Sequence, residues 1–168
     1  MRLVGVDERG IGFGNLSIRD GTTDKFFVTG SGTGGKECLE LTDFAHVVSY
    51  DLTRNWLRCE GATIASSESL THAAVYQAEK QAFAIIHAHD PQRWASLRDR
   101  VPTTPSTVAY GTPEMAESVL RLFRTTALAT HRLLVMGGHE GGLVTFGKDC
   151  AEAFDALITP TAPKGPNE

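Results

Sequence analysis

The stretch Ala82-Phe83-Ala84-Ile85-Ile86-His87-Ala88-His89-Asp90 constrains the chain most. An apolar run ends in two histidines one residue apart. Read as a β-strand, its side chains alternate between faces. Phe83, Ile85, His87 and His89 then share one face, and both imidazoles project together from the C-terminal end. That is half of a metal site, because neutral imidazole suits zinc and similar divalent ions. Three or four ligands are required. The pair alone is equally compatible with two ordinary histidines at a strand end, so the rest of the chain must decide.

The 168 residues suit one domain with a substantial core. Its expected bounds are 1–158, with the proline-rich stretch 159–168 as a frayed C-terminal tail. A net charge of -4 and a pI of about 5.9 exclude the basic stripe that nucleic-acid binding requires. No apolar run approaches the roughly 18 residues of a membrane span. Met1 to Asp7 carries no long apolar segment of the signal-peptide kind, so a cytoplasmic protein is expected. Cys38, Cys59 and Cys150 are far apart and odd in number, which suits reduced packing thiols.

Leu16 and Ile18 alternate with Ser17 and Arg19, which predicts a strand ending near Arg19. Lys25 to Thr29 is a second strand after a hairpin turn. Phe44 to Asp51 and Trp56 to Glu60 are two more, separated by Leu52 to Asn55. A helix is predicted from about Glu68 to Lys80, capped by serine, with Leu70, Ala73, Ala74 and Tyr76 on its buried face. Another begins at Asp90-Pro91. Thr112-Pro113-Glu114 is a clear helix start. Leu133 to Met136 and Leu143 to Phe146 are further strands, and Asp149 to Leu157 is a last helix. This order predicts an α/β domain, with helices covering a mixed, largely antiparallel sheet.

His139 is the best third ligand. It lies in the glycine-flanked turn Gly137-Gly138-His139-Glu140-Gly141-Gly142, straight after an apolar strand, where glycines permit close approach to another element. His46 and His131 are less suggestive. His72 shares a helix face with Glu68 and reads as a hydrogen-bonded helix residue rather than a ligand. Glu68 follows Ser66 and Ser67 at a helix start, where backbone N–H groups point outward and favour anions. The loop from Gly30 to Gly35 offers either an anion-binding nest or a flexible turn. It matches neither a Walker A pattern nor a dinucleotide fingerprint.

In chain order, the segments Gly14-Asn15-Leu16-Ser17-Ile18-Arg19, Thr29-Gly30-Ser31-Gly32, Ser66-Ser67-Glu68 with His72 and Tyr76, His87-Ala88-His89 and Gly138-His139-Glu140-Gly141 resemble the class II aldolase/adducin family. The resemblance spans about Gly10 to Ala156. It implies a three-layer α/β/α fold and a homotetramer with sites between subunits. It implies zinc, or another divalent ion such as Mn2+, Co2+ or Fe2+, on His87, His89 and His139. Glu68 takes the acid/base position. Asn15, Ser31, Gly32, Ser66 and Ser67 match the positions that cradle a substrate phosphate. The implied chemistry is aldol cleavage or formation of a C–C bond in a small phosphorylated sugar or hydroxy-carbonyl compound, through a metal-stabilised enediolate. Epimerisation or dehydration on the same site and a non-enzymatic, adducin-like binding module are the alternatives.

The sequence departs from the family pattern in four places. Gly30 stands where proline is usual, which should loosen the turn. Gly138 replaces an asparagine. The helix that precedes Gly-Asn in relatives is largely missing. The chain also stops soon after its last helix, without the tyrosines that sugar-phosphate aldolases use as acids. Tyr110, reaching across from a neighbouring subunit, is the one candidate substitute.

Overall fold

The structure, a computed structural model, describes residues 3–8, 10 and 12–159. A small hairpin comes first, β1 (Gly5–Val6) against β2 (Gly12–Phe13). The main sheet uses β3 (Asn15–Arg19), β4 (Phe26–Thr29), β5 (Phe44–Asp51), β6 (Trp56–Glu60), β7 (Ala84–His89), β8 (Leu133–Val135) and β9 (Gly142–Gly147). Their order across the sheet is β6-β5-β4-β3-β7-β9-β8. Every ladder among them is antiparallel, and a lone parallel bridge joins Thr103 to Val135. The expected mixed, largely antiparallel sheet is what forms.

The helices are α1 (Ser69–Ala78), α2 (Pro91–Leu97), α3 (Pro113–Thr125), α4 (Leu128–His131) and α5 (Cys150–Ile158). Two apolar clusters show the layers. On one face, Phe26, Val28, Ala45, Val47 and Ile85 of the sheet pack with α1 and with Met115, Val119 and Leu122 of α3. On the other, Ala88, Leu133 and Leu143 pack with Leu157 of α5 and with Trp94 and Leu97 of α2. The result is a three-layer α/β/α architecture. Ile85 belongs to the α1 face, so His87 and His89, two and four residues on, face that side too.

Three helices start as their sequences dictate. The Thr112, Asp90 and Asp149 side chains accept from the backbone N–H three residues on, and Pro113 and Pro91 occupy first-turn positions that need no N–H donor. Helix α1 differs from expectation. Glu68, not a serine, holds the cap position, and its side chain makes no capping bond. Its carboxylate is drawn instead to Asn15 and His87. The helix is also buried all round from Ser69 to Tyr76, because α3 covers the side that the sheet does not. His131 closes α4 two residues before β8 begins.

Apart from Thr159, the expected tail lies outside the described residues. Among the described residues no helix is long and apolar enough to cross a membrane.

Candidate active site and metal centre

Strand β7 carries His87 and His89 side by side at its C-terminal end, with their Nε2 atoms 3.1 Å apart. The turn between β8 and β9 brings His139 alongside, its ring centroid 4.5 Å from that of His89. One ligand atom from each of the three lies within 4.8 Å of the others. Glu68 sits beside them. Its Oε2 is 2.9 Å from His87 Nε2, and its Oε1 is 3.6 Å from His139 Nε2. Asn15 Nδ2 donates to the same Oε2 at 3.1 Å.

The donor set suits a cation. His87 Nδ1 lies 3.1 Å from the Leu143 carbonyl. A carbonyl only accepts, so Nδ1 carries a proton toward it, and Nε2 is the atom turned to the cluster. Nε2 faces the Glu68 carboxylate and the His89 imidazole nitrogen. Glu68 Oε1 is buried without a hydrogen-bond partner. Burial, and then the repulsion of neighbouring imidazoles, lower His89 to about 4. Burial takes His139 to about 4 as well, with Glu68 offsetting part of the shift. Both are therefore neutral near pH 7, the form that binds metals. Burial alone would raise Glu68, but attraction to His87, His139 and His72 outweighs it and holds the carboxyl at about 2.

The glycines of the His139 turn are enforced by contact. A Cβ on Gly137 would collide with the Thr104 carbonyl, and one on Gly138 with the Val108 carbonyl. A Cβ on Gly142 would strike the His139 ring. The connector from 104 to 108 thus presses against the turn and aims His139. An asparagine at position 138 would have no room here.

The other wall of the cleft holds the small polar residues. Asn15, Ser31, Gly32, Ser66 and Ser67 line one cavity of about 430 Å³ together with Glu68, His89 and His139. His87 lies behind this surface, 1 % exposed. Gly30 does not loosen its turn. Its N–H donates to the Asp43 carbonyl at 2.7 Å, the Ser31 N–H donates to the Ile64 carbonyl at 2.9 Å, and Gly30 bridges to Ala65. A side chain at Gly30 would run into Thr63. These bonds use up part of the expected nest of amides. Gly32 stays open, with φ 81° and nothing within 4 Å of where a Cβ would stand.

Two lining residues escaped the sequence reading. Asp7 and Glu140 add acidic groups, and no lysine or arginine lines the cavity among the described residues. Tyr110 also lines it, from its own chain, with its ring centroid 4.3 Å from that of His139. Tyr110, in the sequence a candidate reaching in from a neighbouring subunit, reaches the cleft within its own chain. Proximity to His139 in sequence could not reveal it, because α3, α4 and β8 intervene. His72 is a hydrogen-bonded helix residue, as expected, with Nδ1 2.7 Å from Ser17 Oγ.

A largely antiparallel sheet between helical layers, with an imidazole triad and a glutamate at one strand end, defines an α/β/α protein whose histidine cluster could hold a metal ion. The model of the Class II Aldolase and Adducin N-terminal domain matches residues 9–160, and the chain belongs to that family. Several solved structures are similar. An L-fuculose 1-phosphate aldolase superposes with a TM-score of 0.67 at 24% identity, over 86% of this chain and 69% of its own. The L-fuculose-1-phosphate aldolase of Thermus thermophilus gives 0.55 at 26% identity, over 86% and 72%. YgbL of Escherichia coli, described as an aldolase/epimerase/decarboxylase with no choice made among these, gives 0.66 at 18% identity, over 90% and 77%. No curated protein sequence matches the chain.

Proposed function

We propose that the protein is a divalent-cation-dependent aldehyde-lyase acting on a small phosphorylated sugar or hydroxy-carbonyl compound. The observation that carries this reading is the position of Glu68. A buried carboxylate, held by Asn15 and set against His87, lies where the imidazole cluster meets the wall of hydroxyls. His87, His89 and His139 would hold the cation, zinc first and Mn2+, Co2+ or Fe2+ as substitutes. Such a cation supplies Lewis acidity to the oxygens of a hydroxy-carbonyl group. Asn15, Ser31, Gly32, Ser66 and Ser67 bind the phosphate through hydroxyls, an amide and open backbone. None of these five residues carries a positive charge, so they bind an anion without competing for Glu68. Glu68 then moves a proton onto the carbon freed when the C–C bond breaks, and off it in the reverse direction. Tyr110, beside His139, would take the proton from the hydroxyl that becomes the aldehyde on cleavage, and return it to that oxygen in the reverse direction. Residues 1–158 serve this site as one domain, in a cytoplasmic homotetramer, with 159–168 as a tail.

The test is retro-aldol cleavage of L-fuculose 1-phosphate and related 1-phosphorylated ketoses by zinc-loaded protein, followed as release of a three-carbon ketose phosphate. Glu68→Gln should lose about 10²- to 10⁴-fold in kcat while keeping its metal. A protein that takes up no zinc in calorimetry sinks the idea. The YgbL likeness keeps epimerisation or dehydration as a second reading, which product analysis separates. A binding module of the adducin kind has no use for Glu68 and three imidazoles converging at one point.

A further inference from the structure

The two faces of the sheet are covered unequally. Phe26, Val28, Ala45 and Val47 point toward α1 and α3. The alternate residues Phe27, Phe44 and His46 therefore point the other way, as do Leu16 and Ile18 on either side of Ser17, which bonds α1. On that second face α5 lies over β7 and β9. Beyond it, Ile18 of β3 and Phe27 of β4 are 42 % and 40 % exposed, and Leu41, just before β5, is 93 % exposed. A groove of about 510 Å³ joins Ile18, Phe27, Leu41 and Phe44 with His46 and Glu60. A second, about 360 Å³, continues from Leu16 and Leu39 to Phe154 and Leu157 of α5. Leu16 and Ile18 are successive positions on this face of β3, so the two grooves form one apolar surface.

This surface is prepared for burial. Its one imidazole, His46, stacks on Phe27 with ring centroids 4.3 Å apart, and its Nε2 lies 3.1 Å from Asp20 Oδ2. Covering the face does not strand that nitrogen. The rim carries both signs of charge. Leu57 and Cys59 of β6 pack toward the α1 side, so Arg58 and Glu60 project on the open side, both exposed and 3.2 Å apart. An apolar centre with a polar rim is the anatomy of a protein interface. A rim of one sign would call for a partner of the other. A rim that holds both suits a copy of itself, because a two-fold axis lets Arg58 of each chain meet Glu60 of the other. β6 is also the edge strand, and its charges discourage extension of the sheet by a further strand. What remains is stacking, sheet on sheet, about 10 Å apart.

We propose that the open face of β3, β4 and β5 is where a second copy of this chain docks, sheet against sheet, about a two-fold axis. The proposal rests on the oligomer put forward above, whose contact surface it names, and is independent of the lyase chemistry. Sedimentation of the full chain over a concentration series should show self-association. Phe27→Asp, at the centre of the face, should raise the dissociation constant at least about 100-fold. Because Phe27 also packs on His46, the exposed charges supply a second arm that spares the fold. Arg58→Glu leaves two acids on the rim, and Glu60→Arg leaves two bases. Each alone should weaken self-association about tenfold, and an equimolar mixture of the two variants should bring it back to near the wild-type level. A mixture that associates no more tightly than either variant alone overturns the proposal. An assembly unchanged in all three variants keeps the oligomer and overturns this face as its contact. A wild-type chain that stays at the 18.1 kDa of one copy overturns both.

Discussion

The two walls of the cleft are built on opposite physical terms. The imidazole wall is buried and ionisable, and rigid elements hold it. Strand β7 carries two of its ligands, and a glycine turn pressed against the 104–108 connector carries the third. The hydroxyl wall is neutral and open. Ser31, Gly32 and Ser67 are exposed, and part of the loop's hydrogen bonding is turned inward to Asp43 and Ile64. Glycine serves both walls for different reasons. Gly138 is small because a carbonyl occupies the space of a side chain, whereas Gly32 bends the chain at φ 81° and leaves the space free. Burial without a cation costs the first wall stability, while the second is cheap to build and weak at each contact. This contrast predicts where substitutions bite hardest.

The largest effect should come from the buried ligand. His87→Ala removes the imidazole whose Nδ1 is already tied to Leu143, so a pre-oriented nitrogen is lost from the cluster. Replacing partners outside the ligand shell costs about 10- to 100-fold in metal affinity as a rule. Loss of the ligand itself should exceed about 100-fold, read as zinc affinity in calorimetry. Retention of wild-type affinity would remove the imidazole wall from the metal centre.

Next comes the turn that aims His139. Gly138→Ala drives a methyl group into the Val108 carbonyl. Overpacking of this kind costs about 1–3 kcal/mol, a fall of roughly 3–10 °C in Tm for a chain of this size. Zinc affinity should fall with it. Gly32→Ala has open space for its methyl and pays only the left-handed backbone strain of about 1–2 kcal/mol. If Gly138→Ala leaves zinc binding intact while Gly32→Ala abolishes it, the division between the walls is wrong.

The pH dependence of the metal-free protein should also belong to the imidazole wall. His89 and His139 titrate at about 4 in the folded chain, against an ordinary 6.5. Between those values the unfolded chain binds protons that the folded chain refuses, so stability rises with pH there. It is complete above about 6.5 and is lost as pH falls toward 4. Glu68, held at about 2 against 4.5, loses its contribution in a lower window. Thermal melts of metal-free protein should therefore drop between about pH 7 and 5, above the window in which Glu68 contributes. A flat Tm over that range would show the imidazoles to be solvated.

Much of this was legible in the sequence, for reasons that differ by element. Strands β5 and β6 occur at their predicted bounds because alternation and a polar turn are local signals. Helix α3 starts at its threonine and proline for the same reason. The cap of α1 was misread because Glu68 answers to Asn15 and His87, partners 53 residues back and 19 ahead. The bonds of Asn15 and Ser17 to Glu68 and His72 show as spacing in each segment, but nothing local says that β3 and α1 face each other. Gly30 and Gly138 were visible as departures, and only the neighbouring Thr63 and Val108 explain them. The β1–β2 hairpin is too short for periodicity to register.

The smallest effect tests the hydroxyl wall. Ser67 is exposed in the cleft, and among the described residues its side chain makes no hydrogen bond that its removal would orphan. Ser67→Ala should leave Tm unchanged. A neutral hydrogen bond to a bound phosphate is worth about 0.5–1.5 kcal/mol, a factor of about 2–10. Because phosphate is held alike before and during bond cleavage, the loss should appear in KM and not in kcat. A phosphate-free hydroxy-carbonyl substrate should be indifferent to the change. If Ser67→Ala lowers kcat instead, the hydroxyl acts on the reacting carbons, and the two walls are not separate in function.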